Sequence, residues 1–191
     1  MINKKIGIIG CGNMGEAILD RLSRVIEKST SIMVSEMDAK RREYIQSKYK
    51  IIVEIENNLV VKYSDVVIIA VKPKDFKALL KEELCCSLDK NKLVISIAAG
   101  VTTKFIEDTI GEKMPVIRMM PNMPSMVGEG ISSLSRGKYA KKEDAELARE
   151  IFSLIGSVVE VDETLVDAVT ALSGSGPAYL FYFIESMIEA G

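Results

Sequence analysis

A chain of 191 residues, 48% apolar and 27% charged, has apolar mass for a large core and charge for a solvated surface. Its formal net charge of −2 carries no long run of one sign, which excludes the electrostatic footprint of a nucleic-acid binder. Histidine is absent and the three cysteines, Cys11, Cys85 and Cys86, fit neither a disulfide framework nor a zinc pattern. A Ser-His-Asp triad, a Cys-His pair and a His-ligated metal are thereby excluded.

The first element is the strand-like "KIGIIG", followed by a helix from Asn13 to Glu27 in which Met14, Ala17, Ile18, Leu22, Val25 and Ile26 keep helical spacing. "SIMVSE" (Ser31–Glu36) reads as a second strand, Asp38 to Lys48 as a polar helix, and "KIIVEI" (Lys50–Ile55) as a short strand. "DVVIIAVKP" (Asp65–Pro73) is apolar almost throughout, as a strand covered on both faces must be. A helix from Asp75 to Leu88 follows, with Phe76, Leu79, Leu80 and Leu84 on one face and the paired cysteines in its core or flank. "LVISIAAG" is another buried strand, and the next helix starts at Thr102 or Thr103 and stops at Gly111. "PVIRMMPN" is a strand, "NMPSMVGEG" a loop, Ile131 to Ser135 an edge strand, Lys141 to Ile155 a helix ending at Gly156, and "VVEV" the last strand. This alternation predicts a doubly wound, Rossmann-type α/β fold with a parallel sheet and helices on both faces.

The character changes at residue 162. Residues 1–161 read as a dinucleotide-binding domain and 162–191 as the first helices of a second, helical domain, broken by Gly, Ser and Pro at 173–177. "AYLFYFIESMI" is apolar nearly all round, so it needs further helices or a partner chain against it. The expectation is a piece of a longer protein that also pairs with a partner. Tyr179, Phe181, Tyr182 and Phe183 read as packing residues. No apolar run reaches the ~18 residues of a membrane span, and the N-terminus lacks the pattern of a signal peptide. The expected compartment is the cytoplasm, with neither nucleic acid nor membrane as partner.

The glycine triad in "IGIIGCGNMGEAIL" follows a strand and opens a helix, which is the context that makes it a dinucleotide loop. Gly10 permits the tight turn, Gly12 the approach of a pyrophosphate, and Gly15 the packing of helix on strand; Cys11, Asn13 and Met14 share the loop. The second strand ends near the adenosine ribose. There Glu36 suits a 2'-hydroxyl and therefore NAD, whereas Ser35 with Lys40, Arg41 or Arg42 suits a 2'-phosphate and therefore NADP. Lys72 reads as a catalyst, a phosphate neutraliser or a strand-end cap. Ala98, Ala99 and Gly100 leave room for a flat ring. Ser175 reads as a helix N-cap with Pro177 in the first turn, whose free N–H groups suit a substrate carboxylate.

"GCGNMGEAI", "AVKP", "SIAAGV", "MPNMP" and "SGSGPAY" occur in this order, and together they resemble pyrroline-5-carboxylate reductase, the last enzyme of proline synthesis. The resemblance implies a Rossmann domain, a helical domain that forms a homodimer or higher homo-oligomer, and reduction of the cyclic imine 1-pyrroline-5-carboxylate by NADPH or NADH, with a lean to NADPH. Carried onto this chain, it implies the pyrophosphate at Gly10–Gly15, the adenosine end at Ser35 and Asn57, and Ala70, Val71, Lys72 and Pro73 flanking the cofactor. It further implies Ser96–Gly100 and Met120–Asn122 nearer the nicotinamide, and Ser173–Pro177 beside the substrate. No single catalytic residue is assigned; Asn122, Ser173, Ser175 and Gly176 are the substrate-side candidates. The family's helical domain continues beyond residue 191, where later helices contact the substrate imine and carboxylate, so dinucleotide binding with weak or no turnover is expected; the sequence also departs from the family at Glu36 and at Met123, which narrows whatever lies behind Asn122. The rival readings are a 3-hydroxyacid dehydrogenase-like enzyme, whose catalytic lysine has no counterpart in 162–191, and a non-catalytic dinucleotide-binding sensor.

Overall fold

A computed structural model describes residues 2–26, 31–111 and 113–191. Its strands are β1 (Ile6–Ile9), β2 (Ile32–Ser35), β3 (Ile52–Glu54), β4 (Val66–Ile69), β5 (Leu93–Ser96), β6 (Val116–Pro121), β7 (Gly130–Arg136) and β8 (Gly156–Glu160). They form one sheet in the order β3-β2-β1-β4-β5-β6-β7-β8. The first six are parallel, and β1 pairs with β2 on one side and β4 on the other. The crevice beyond the carboxyl ends of β1 and β4 is therefore the switch point at which doubly wound sheets bind ligands.

Helices cover both faces: α1 (Asn13–Val25), α2 (Ala39–Tyr49), α3 (Asn57–Tyr63), α4 (Pro73–Ala78), α5 (Thr103–Ile110) and α6 (Lys142–Phe152). α4 widens into a π turn at Leu79–Leu84. Alternate residues of each central strand serve opposite faces. Ile6, Ile8, Ile68, Ile95 and Ile117 meet Ile18, Leu22, Ala148 and Phe152 of α1 and α6. Ile9, Val67, Ile69, Val94 and Val116 meet Val60, Phe76, Leu80 and Ile106 of α3, α4 with its π turn, and α5. Burying each such side chain is worth about 1.5–3 kcal/mol, and burial on both faces is why these strands read as unbroken apolar runs.

Some boundaries differ from those the sequence predicts. α1 ends at Val25, and Glu27 lies outside the described residues. Asp38 accepts from Arg41 N–H as the cap of α2, and Thr102 accepts from Phe105 N–H as the cap of α5, which ends at Gly111. The seven-residue α3 has no counterpart in the sequence reading. β7 is no edge strand: it runs antiparallel to β6, and β8 pairs with it on its other side. The cysteine pair lies just beyond the π turn, with Cys86 exposed and Cys85 half-buried.

The C-terminal part begins with a 3-10 turn at Glu163–Leu165, then α7 (Val166–Val169), a π turn at Thr170–Gly174 and α8 (Gly176–Ala190). The break at 173–177 is thus reduced to the single residue Ser175. Ser175 is not an N-cap in the usual sense. Its backbone is right-handed helical, its hydroxyl makes no cap bond, and its N–H donates to the Thr170 carbonyl at 2.8 Å, so the chain runs from the π turn into α8 without a capped start.

Candidate dinucleotide site

Each glycine of the loop answers to a different neighbour. Gly10 has φ +83°, and a Cβ there would press on Val71 and the Ala70 carbonyl. A Cβ on Gly15 would sit on the Gly10 carbonyl oxygen, so this glycine lets α1 close onto the turn. Gly12 is different: a Cβ there would meet nothing within 4 Å, and its φ of −68° suits any residue. Nothing inside the protein requires a glycine at that point, so the open space over Gly12 is a cradle that fits an incoming pyrophosphate. Gly12 is also the start of α1, whose first intrahelical bond is Glu16 N–H to the Gly12 carbonyl. The N–H groups of Asn13, Met14 and Gly15 precede that bond and are free for phosphate oxygens.

The loop is held from α2. Arg41 Nε donates to the Cys11 carbonyl at 2.9 Å and its Nη2 to Glu16. Glu16 also accepts from Lys48, Tyr49 and Tyr44 at 2.8, 2.9 and 3.0 Å. Burial pushes the Glu16 carboxyl up, but these bonds and the Arg41 charge outweigh it and hold it below the ordinary value. Cys11 is buried under the loop, and burial pushes its thiol up to about 12, which makes it inert filling.

At the adenosine end, Ser35 is 1% exposed and donates to Asn57 Oδ1 at 2.6 Å, while Asn57 Nδ2 donates to Glu83 at 2.6 Å. Both residues face one another inside the protein. Glu36 alone projects from the strand end toward the loop, accepting from Cys11 N–H at 3.0 Å. Lys72 and Pro73 are exposed at the start of α4, beside half-buried Ala70 and Val71. Ala99 and Gly100 are exposed beyond β5, over buried Ala98.

On the far side, Asn122 is a structural clasp. Its Oδ1 accepts from Ile131 N–H at 2.9 Å and its Nδ2 donates to the Ser173 carbonyl at 3.3 Å. It thereby ties the end of β6 to the start of β7 and to the π turn. Ser173 donates its hydroxyl to the Val169 carbonyl at 3.1 Å, and Gly174 packs near Met120. Met123, at the start of the 3-10 turn after β6, is 44% exposed. The clasp brings Ser173, Ser175 and Gly176 to the carboxyl end of β6, on the same edge of the sheet as the glycine loop.

Sequence reasoning missed a second link. Arg118, 3% exposed on β6, donates to Glu163 at 3.3 Å. Glu163 also accepts from the N–H and hydroxyl of Thr103 at 2.8 and 2.7 Å. The first turn of α5, just past Ala98–Gly100, is thus tied to the connector into α7. An arginine inside the apolar run "PVIRMMP" was the available signal.

The parallel strand order, the switch-point crevice and the open glycine cradle define a Rossmann-type dinucleotide-binding protein. Known proteins narrow this. Residues 5–100 match the family described as NADP oxidoreductase coenzyme F420-dependent, and 163–191 match that described as pyrroline-5-carboxylate reductase dimerisation. A pyrroline-5-carboxylate reductase of Methanosarcina acetivorans is 42% identical over 99% of this chain and 70% of its own length. The structure of that reductase from Coxiella burnetii superposes with a TM-score of 0.90 at 34% identity, covering 99% of this chain and 70% of the other. The Plasmodium falciparum pyrroline carboxylate reductase with NADP bound superposes at 0.86 and 30% identity, covering 100% of this chain and 70% of the other. This chain belongs to the pyrroline-5-carboxylate reductase family.

Proposed function

We propose that the chain reduces 1-pyrroline-5-carboxylate to L-proline by hydride transfer from NAD(P)H, the last step of proline biosynthesis. The observation that carries this reading is the union, on one sheet edge, of an open dinucleotide cradle over Gly12 and the π turn leading into α8, held there by Asn122. Gly10–Gly15 and the first turn of α1 receive the pyrophosphate, Glu36 the ribose, and Ala70–Pro73 flank the chain of the cofactor. Ala98–Gly100 border the nicotinamide, and Ser173, Ser175 and Gly176 present the start of α8 to the substrate carboxylate.

Bound reduced nicotinamide supplies the hydride. The protein supplies placement: it holds the C=N carbon against the donor, with the carboxylate beside Ser173 and Gly176; the Ser175 and Ala178 N–H groups are already used by the Thr170 and Ser175 carbonyls. The imine nitrogen takes its proton from water, and as an iminium it needs no strong protein acid, which suits a chain without histidine. We assign 1–161 to the dinucleotide domain and 162–191 to the helical part. The apolar side chains of α8 lie bare on the protomer, which supports a homodimer or higher homo-oligomer built on that helix.

No described helix is long and apolar enough to cross a membrane. The test is to mix the chain with pyrroline-5-carboxylate and NADH or NADPH and follow nicotinamide absorbance together with proline. Proline formed in equal amount to the nucleotide oxidised is expected. Nucleotide binding without any proline, from the assembled protein, would sink the enzymatic reading.

A further inference from the structure

The choice between the two nicotinamide cofactors lies with Glu36, and we infer that this chain selects NADH; the inference rests on the dinucleotide reading above. Glu36 is fixed at three points. Its N–H donates to the Glu54 carbonyl at 3.0 Å, its Oε2 accepts from Cys11 N–H at 3.0 Å and its Oε1 from Asp38 N–H at 3.1 Å. The carboxylate therefore stands between the glycine loop and the start of α2, where the adenosine ribose lies once the pyrophosphate occupies the cradle. Two of its lone-pair sites are used and two remain, enough for the 2'- and 3'-hydroxyls. A 2'-phosphate would bring only acceptors and negative charge to a group that itself only accepts.

The groups that would welcome such a phosphate are committed elsewhere. Arg41 holds the Cys11 carbonyl and Glu16. Arg42 Nη1 donates to the Glu36 and Met37 carbonyls at 2.9 and 2.6 Å, closing the turn after β2. The Ser35 hydroxyl is turned inward to Asn57. Asp38, capping Arg41 N–H at 2.7 Å, adds a second carboxylate to the same corner. Lys40 is exposed in the first turn of α2, a solvated charge on a flexible stem.

Equilibrium titrations of the whole chain read this choice without turnover. The ligands are NADH against NADPH, and ADP-ribose against its 2'-phosphate. The unphosphorylated member of each pair is expected to bind at least about tenfold tighter. Glu36→Gln keeps the shape and the acceptor for Cys11 N–H while removing the charge. It is expected to shift each ratio toward the phosphorylated ligand by about tenfold or more, and added salt to narrow the ratio in the parent chain. Equal or tighter binding of NADPH by the parent chain, or an unchanged ratio in Glu36→Gln with an unaltered circular-dichroism spectrum, would overturn the inference. Binding of neither nucleotide would overturn the dinucleotide reading with it.

Discussion

Gly12 and Gly15 sit three residues apart in one loop, yet their environments make opposite demands on a side chain. A Cβ on Gly15 collides with backbone, the Gly10 carbonyl, which cannot swing aside as a flexible side chain would. Gly15→Ala is expected to cost about 1–3 kcal/mol of stability, as overpacking does. Gly12 has extended backbone and empty space around it, at the N-cap of α1. Serine is as good a cap there as glycine or better, so Gly12→Ser should leave the urea midpoint equal or slightly raised. Its side chain fills the cradle, so dinucleotide affinity should fall at least about tenfold. Denaturation and nucleotide titration of both variants check this. A Gly12→Ser protein that binds normally would show that the pyrophosphate does not pass over the loop.

Between elements, α1 and α2 are joined chiefly through Glu16, which gathers Arg41, Tyr44, Lys48 and Tyr49 from one face of α2. α2 buries only Ile45, so this polar clasp does for α2 what an apolar face does for α1. Because the folded-state value of Glu16 is lowered, its contribution to stability is present above the ordinary carboxylate value of 4.5 and is lost as pH falls through the lower folded value. The difference in urea midpoint between the parent chain and Glu16→Gln should be largest near neutral pH and shrink as the pH falls below the ordinary carboxylate value. A pH-independent difference would mean that Glu16 acts by packing alone. This scale also shows what the sequence carried and what it hid. The glycine loop and the central strands were legible because each rests on local rules: Gly10 on its φ, Ile6 to Ile9 and Val66 to Ile69 on burial from both sides. α3 was not, since seven residues with Asn57, Val60 and Val61 turned inward are too few to show a period. β7 read as an edge because its serines, Ser132, Ser133 and Ser135, are polar, although all three are buried between neighbouring strands. Of the candidate site, the loop glycines and Glu36 were read from their motif, but the clasp roles of Asn122, Arg118 and Glu163 arise from partners as far as 60 residues away in sequence, which no local pattern encodes.

At the scale of the molecule, the sheet is closed on both faces while α8 stands almost bare, and Ser173, Ser175 and Gly176, proposed above to border the substrate, lie at its foot. Leu180, Ile184 and Ile188 form a stripe at helical spacing with 58, 43 and 74% of their surface exposed. An apolar stripe of that length on a helix is stable in water when another copy of the same stripe covers it, and twofold pairing is the commonest way to do so. Replacing Leu180 and Ile184 together by glutamate puts like charges on both sides of such an interface, where they are desolvated without partners. In the free protomer both residues are exposed, so the fold is not the target of the change. The double variant should therefore sediment as a monomer while the parent chain sediments as a dimer or larger. Its affinity for the dinucleotide should stay within about threefold of the parent, since the cradle is built from β1 and α1. Its turnover should fall much further, because the helix that begins at Gly176, just after Ser175, is left open to water and free to move. Sedimentation velocity, nucleotide titration and the imine-reduction assay on the same preparation separate the three outcomes. An undissociated variant would move the interface off α8, and a monomer with full turnover would show that one protomer alone encloses the substrate.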